Sequence, residues 1–232
     1  MSREDFDISS LARYLHLNPA QVQKLVDRGL LPGRRIAGQW RFSSEEVHHW
    51  LEDRLGAGGT QELAHVESIL GASHAASEVA IASLLTEESI ALPLPARTRS
   101  SVIDSMIDLA MESGLLWDGG KMADAVRARE NLHSTALEIG VAFLHPRRPM
   151  PQILGDSFIA LGRTSSGIPF GSEQGRMTDL FFLICSLDDS THLHILAKLS
   201  RLMIDAEFLA ALRAAATPGE VMQMFREREE AI

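Results

Sequence analysis

The chain has 232 residues, 45% of them hydrophobic and 23% charged, with a net charge of −9. These proportions describe a soluble globular protein of one large or two smaller domains and exclude a chain that is basic throughout. No apolar run is long enough to span a bilayer, and Met1-Ser2-Arg3-Glu4-Asp5 is no signal-peptide start. A single Cys185 inside an apolar run excludes a disulfide framework and fits a reducing cytoplasm. The charge is unevenly placed. Residues 1–55 hold 8 Lys/Arg against 8 Asp/Glu, so the remainder carries the whole net charge of −9. Within 18–41, Lys24, Arg28, Arg34, Arg35 and Arg41 stand against Asp27 alone. That asymmetry points to two modules with different partners.

In chain order, Asp7-Ile8-Ser9-Ser10 opens a short helix through Leu15, with Ser9 or Asp7 available as its cap. Asn18-Pro19 starts a second helix, a cap followed by proline at the first helical position, with Val22, Leu25 and Val26 on one face and an end at Gly29. Arg34-Arg35-Ile36, a Gly38 turn and Trp40-Arg41-Phe42 read as a small β-hairpin. Ser43-Ser44-Glu45-Glu46 caps a third helix holding Val47, Trp50, Leu51 and Leu55. Gly56-Ala57-Gly58-Gly59 is the clearest linker signal, and residues 60–83 read as a connecting helix with a capacity for self-association.

A second module begins at Leu84. Helices are expected over Ser101–Ser113 and Asp118–Asn131. The alternating apolar segment 134–145 reads as a strand, with Ile139, Val141 and Phe143 on one face and Gly140, Ala142 and Leu144 on the other. His145 sits at its end, where Pro146-Arg147-Arg148-Pro149 stops it. Further strands are expected at Phe158–Leu161 and Asp179–Leu187, then helices near 190–203, 205–215 and 218–228. Alternating helices and strands make this an α/β layered domain.

The first module has the order helix, short turn, capped helix, basic hairpin, helix. Its residues Leu11-Ala12-Arg13-Tyr14-Leu15, Val22-Gln23-Lys24-Leu25-Val26, Gly29-Leu30-Leu31-Pro32, Trp40-Arg41-Phe42 and Val47-His48-His49-Trp50-Leu51 resemble the excisionase-like, MerR-related winged helix-turn-helix DNA-binding domains. A helix placed in a major groove offers its first turns to base edges, here Gln21, Gln23 and Lys24. The hairpin then lays Arg34, Arg35 and Arg41 along phosphates, with Arg28 in the same basic stretch. About five basic contacts per copy predict weak, strongly salt-sensitive binding, so a homodimer is expected. The other reading is a small helical domain with solvated charges or a protein-docking module.

In the second module, His145 at a strand end is a nucleophile or a histidine satisfied by a loop carbonyl. A second cluster, Thr191-His192-Leu193-His194, follows 47 residues on. Asp188-Asp189-Ser190 supplies caps for the helix, so His192 falls in its first turn and lines up with Ile195, Leu196, Leu199 and Met203 at about 100° per residue. His194 lies with Lys198 and Arg201 on the solvent side. A helix N-terminus here also favours a bound anion. No spacing among His133, His145, His192 and His194 matches a usual zinc motif, so no metal or other cofactor is expected. No serine or cysteine lies in a recognisable hydrolase turn.

These residues carry a second resemblance. Leu84-Leu85-Thr86-Glu87-Glu88, Arg129-Glu130-Asn131 before Ser134-Thr135, Val141-Ala142-Phe143-Leu144-His145, Gly167-Ile168-Pro169-Phe170-Gly171, Thr178-Asp179-Leu180-Phe181-Phe182 and Thr191-His192-Leu193-His194-Ile195-Leu196 are similar to the type-2 IIA domains of the sugar phosphotransferase system, the fructose/mannitol and nitrogen-regulatory branch. The resemblance implies that His145 accepts a phosphoryl group from HPr or its paralogue, that His192 is the second active-site histidine, and that Arg129 is the basic residue beside the acceptor. The family's run is close to Ser-Thr-Gly-Leu-Gly-x-Gly-Val-Ala-(aliphatic)-Pro-His-Gly. Here Ala136 and Glu138 stand for glycines, Leu144 for the proline, and Pro146 follows the histidine. Pro146 removes one backbone donor from the pocket.

The division expected is a DNA-binding module over 1–55, a partly helical linker over 56–83 and a IIA-like module over 84–232. Three functions fit it: a transcriptional regulator that senses phosphotransfer through His145, a phosphohistidine relay from HPr to a separate IIB, and a IIA-fold binding module without phosphotransfer.

Overall fold

The computed structural model describes residues 5–15, 17–44, 46–47, 50–51 and 79–231. The chain divides into two compact units, Met1–Ala76 and Ser77–Ile232. The expected Leu55, the linker glycines 56–59 and the connecting helix up to residue 78 lie outside the described residues.

In the first unit, α1 (Ile8–Tyr14) and α2 (Pro19–Asp27) each begin on a reciprocal cap. Asp7 accepts from the Ser10 backbone, and Asn18 from that of Gln21. Strand β2 (Arg34–Ile36) turns at Ala37-Gly38 into β3 (Gln39–Ser43), with positive φ at both turn residues, as a type I′ hairpin turn requires. The sequence did not reveal β1 (Asp5–Phe6), a two-residue strand that pairs with the other side of β3. Residues 44, 46, 47, 50 and 51 are helical. Leu11, Leu15, Val22, Leu31, Phe42, Val47 and Leu51 close one small core.

The second unit is built on a mixed sheet in the order β4-β6-β7-β5, formed by Ile90–Ala91, Phe158–Ile168, Thr178–Cys185 and Val141–Leu144. Strands β5 and β7 run parallel, with Leu144 opposite Leu183, while β6 and β7 run antiparallel. Side chains alternate between faces along a strand. Ala142, Leu144, Ala160, Phe181, Leu183 and Cys185 face α3 (Arg99–Glu112) and α4 (Gly119–Leu132) and pack with Val102, Met106, Met122 and Val126. The opposite face is covered by α5 (Asp189–Ile204), α6 (Ala206–Ala214) and α7 (Pro218–Glu230), where the Phe225 ring meets those of Phe182 at 6.4 Å and Phe208 at 5.2 Å. This is an α/β layered domain.

The segment 134–145 departs from the expected single strand. Only Val141–Leu144 form β5. Leu137–Gly140 make a reversal that Gly140 permits with φ +81°, and the chain folds back so that Ala136 pairs antiparallel with Ala142. The Leu137 N–H donates to Val141 and the Phe143 N–H to Thr135. Ile139 therefore lies outside the strand, 40% exposed, instead of sharing its buried face. Strand β6 is also longer than Phe158–Leu161, because its second half is polar and breaks the apolar signal.

The chain enters this unit through a 3-10 turn, Ile81–Leu84. The Glu229 carboxylate of α7 accepts from the Ile81 N–H at 2.6 Å and the Ala82 N–H at 2.9 Å. Lys198 of α5 lies 3.8 Å from the same carboxylate. Ile81 is fully buried.

Candidate functional site

The topology explains how two distant histidines meet. Because β5 and β7 are parallel, their C-terminal ends share one edge of the sheet, the place where ligands bind in open α/β sheets. His145 follows β5 directly. His192 stands in the first turn of α5, just after β7. Their ring centroids are 4.9 Å apart with planes tilted by 55°. Both are buried, at 3% and 4% exposure. His192 lies, as its helical position requires, with Ile195, Leu196, Leu199 and Met203 among the buried residues of α5.

The hydrogen bonds assign a tautomer to His145. Its Nδ1 is 2.8 Å from the carbonyl oxygen of Phe143. A carbonyl only accepts, so Nδ1 carries the proton and, in a neutral ring, Nε2 carries the lone pair. The loop-carbonyl and nucleophile readings of His145 are thus compatible, since the carbonyl occupies one nitrogen and orients the other. In His192, Nδ1 lies 3.2 Å from the Ser186 Oγ.

Arg129 occupies the last turn of α4 and is buried, at 4% exposure. Its Nη1 donates to the His133 carbonyl at 2.8 Å, and its Nε has no hydrogen-bond partner among the described residues. The neighbouring Glu130 does not neutralise it. That carboxylate pairs with Arg99 at 3.0 Å and accepts from the Thr135 backbone N–H at 3.1 Å and from the Thr135 hydroxyl. Arg129 connects to His145 through the backbone: it holds His133, Thr135 accepts from Phe143, and Phe143 accepts from His145.

Two further expectations change. The N-terminus of α5 is occupied by its own cap, since the Asp188 carboxylate accepts from the Thr191 N–H at 2.9 Å and from its hydroxyl at 2.7 Å. The negative charge of that carboxylate opposes a second anion there. His194 is half-buried, with Nδ1 donating to the Ser190 carbonyl at 2.7 Å. Burial pushes the Cys185 thiol far up, so it stays protonated and unreactive. Phe143, Ser186 and Glu130 contribute through contacts that the sequence motifs do not state. The one sequence signal for Ser186 is a hydroxyl residue at the end of an apolar strand, just ahead of the His192 helix.

In the first unit, Lys24 and Arg28 are exposed on α2 and at its end. Gln21 turns its carboxamide oxygen back to the Asn18 N–H at 2.9 Å, and Gln23 donates to Asp27 at 2.7 Å, so both are partly engaged within the helix. In the hairpin, Arg34 pairs with Asp5 at 3.0 Å and Arg35 lies over the Trp40 ring at 4.9 Å. Arg41 donates to Gln39 at 3.2 Å.

Comparison with known proteins fits this geometry. The chain is 27% identical over 152 residues to the PTS system fructose-specific EIIABC component of Bacillus subtilis, covering 65% of this chain and 24% of that protein. It therefore spans about a quarter of the length of that relative. To the PTS system fructose-specific EIIA component of Haloferax volcanii it is 26% identical over 149 residues, covering 63% of this chain and 95% of that one. The crystal structure of nitrogen regulatory protein IIA-Ntr from Neisseria meningitidis superposes with a TM-score of 0.56 at 23% identity, over 62% of this chain and 98% of that one, a likeness of fold. Residues 6–55 match a helix-turn-helix domain family. With residues 83–228 matching the family model, the chain belongs to the phosphoenolpyruvate-dependent sugar phosphotransferase system EIIA 2 family and carries a helix-turn-helix domain ahead of it.

Proposed function

We propose that the second unit accepts a phosphoryl group on Nε2 of His145 and that the first unit binds DNA, so that the chain is a regulator whose DNA contacts answer to phosphotransfer. The observation that carries the acceptor reading is the bond from His145 Nδ1 to the Phe143 carbonyl, beside the ring of His192. It turns the lone pair of Nε2 away from the strand. That nitrogen attacks the phosphorus of a phosphohistidine on an HPr-like carrier. The new P–Nε2 bond forms as the carrier's P–N bond breaks, and the carrier's imidazole leaves with the electron pair. No proton has to be removed from the nucleophile, because Nε2 carries none. Such transfers demand position and charge stabilisation more than covalent help from the protein. Arg129, a buried cation without an acidic partner among the described residues, is the donor we assign to the transferring oxygens. The added charge of roughly −1.5 to −2, by analogy with other phosphorylated side chains, is enough to rearrange an interface.

The test is intact mass after incubation with phosphoenolpyruvate, enzyme I and HPr. A gain of one phosphoryl group, absent in His145→Ala, is expected. DNA affinity measured with and without the phosphorylated carrier then tests the switch, and equal affinities refute it. Sedimentation on a DNA duplex reads whether two copies bind together.

A second reading, a IIA-fold binding module without chemistry, is favoured by Pro146, which has no N–H to offer beside the acceptor, and by Asp188, whose carboxylate caps the first turn of α5. No mass gain under the same conditions selects it. Transfer onward from the phosphorylated chain to a separate IIB selects the relay instead.

A further inference from the structure

We propose that Ser186 is a positioning residue that fixes the tautomer of His192, making His192 a hydrogen-bond donor to the transferring phosphoryl group. The inference rests on the phosphoacceptor reading of His145, which also decides between the tautomers of His192; the contact between Ser186 and His192 stands on geometry. Ser186 immediately follows β7 and is buried, at 3% exposure. Its Oγ faces His192 Nδ1 at 3.2 Å. A hydroxyl can donate to an imidazole nitrogen or accept from one, so the contact alone allows two tautomers.

The neighbouring ring decides between them. His145 is held as the Nδ1–H tautomer by the Phe143 carbonyl, which leaves a lone pair on its Nε2. Were His192 Nδ1 protonated and donating to Ser186, His192 would likewise offer an Nε2 lone pair. Two lone pairs would then meet a phosphoryl group bearing negative oxygens. With the Ser186 hydroxyl donating instead, His192 has its lone pair on Nδ1 and its proton on Nε2. The two rings then hold opposite tautomers: a nucleophilic nitrogen on His145 and an N–H donor on His192, on rings 4.9 Å apart. Donors already in place where negative charge sits on the transferring oxygens are the arrangement that lowers such a barrier. His192 moves no proton in this scheme. It keeps the Nε2 proton throughout, and Ser186 keeps its own.

Long-range 1H–15N spectra of the full chain in its unphosphorylated state test the assignment. In the wild type a pyridine-like Nδ1 and a pyrrole-like Nε2 are expected for His192. Ser186→Ala should average the two nitrogens and slow phosphorylation of His145 by about fivefold, the worth of one hydrogen bond of ~1 kcal/mol. Ser186→Thr keeps the hydroxyl and should restore both readings. A wild-type His192 protonated on Nδ1, or a tautomer unchanged in Ser186→Ala, overturns the proposal. A tautomer that shifts with no change in transfer rate overturns the catalytic consequence. If the wild type takes up no phosphoryl group, the acceptor reading of His145 fails while the spectra still decide the role of Ser186.

Discussion

Glu130→Ala tests how the segment before β5 is held. The Glu130 side chain is 1% exposed and serves Arg99 at 3.0 Å together with two donors of Thr135, the backbone N–H at 3.1 Å and the hydroxyl. Removing the carboxylate leaves both Thr135 donors, on a residue 9% exposed, without their acceptor. Each such group costs about 1–3 kcal/mol. Arg99 is 39% exposed and regains water, so its loss adds little. The expected destabilisation is about 2–6 kcal/mol, the cost of two such groups. Glu130→Gln keeps one acceptor for Thr135 and should cost about 1–2 kcal/mol, because a neutral hydrogen bond replaces a charge-assisted one. Urea unfolding read by pulse-labelling hydrogen exchange, on peptides from 90–230, reports this unit separately from the first. A Glu130→Ala chain that loses less than about 1 kcal/mol would refute the argument that these donors depend on Glu130.

Asp5→Asn releases Arg34 from its ion pair, so DNA binding should strengthen and the salt slope should steepen by about 0.9, one phosphate contact. A fluorescence-anisotropy titration at several salt concentrations reads this, and an unchanged slope removes Arg34 from the DNA contacts. Gly140→Ala combines a φ of +81° with a Cβ that would lie 2.7 Å from Arg213 Nη2 and 3.1 Å from the Met177 carbonyl. A loss of about 2 kcal/mol in thermal unfolding is expected, since the left-handed region alone costs roughly 1–2 kcal/mol. Asp205 is held below its ordinary value of 3.8, first by the Phe208 backbone N–H and further by those of Glu207 and the charge of Arg228. Its contribution is present above the unfolded value and lost as pH falls through the lower folded one, so Asp205→Asn should flatten the acid limb of the second unit's stability below about pH 4. A limb as steep as in the wild type argues against that role.

Helix positions were legible because their ends are written in side chains: Asn18-Pro19, Asp118 and Asp188 all cap the helices they announce. The first-turn placement of His192 followed from the same logic. The segment before His145 was not legible, because Leu137 and Ile139 mimic strand alternation while Gly140 reverses the chain, and a glycine alone does not state the sign of its φ. Strand β1 is too short to carry a period. The Phe143 carbonyl left no trace in the sequence, since every residue has one. Ser186 is visible as a residue, yet only the parallel pairing of β5 with β7 shows which ring it meets. Arg34 and Gln21 read as free groups because their partners, Asp5 across the sheet and the Asn18 backbone, become neighbours only in the folded unit.

Near the start of the second unit, the N–H groups of Ile81 and Ala82 both sit on the Glu229 carboxylate. Because one carboxylate accepts both bonds, losing the Glu229 side chain frees both N–H groups at once. The anchor is the penultimate stretch of α7, which makes the last helix the fastening of the first turn. A fragment cut to begin at residue 83, where the family match starts, would lack both donors and leave Glu229 facing Lys198 at 3.8 Å.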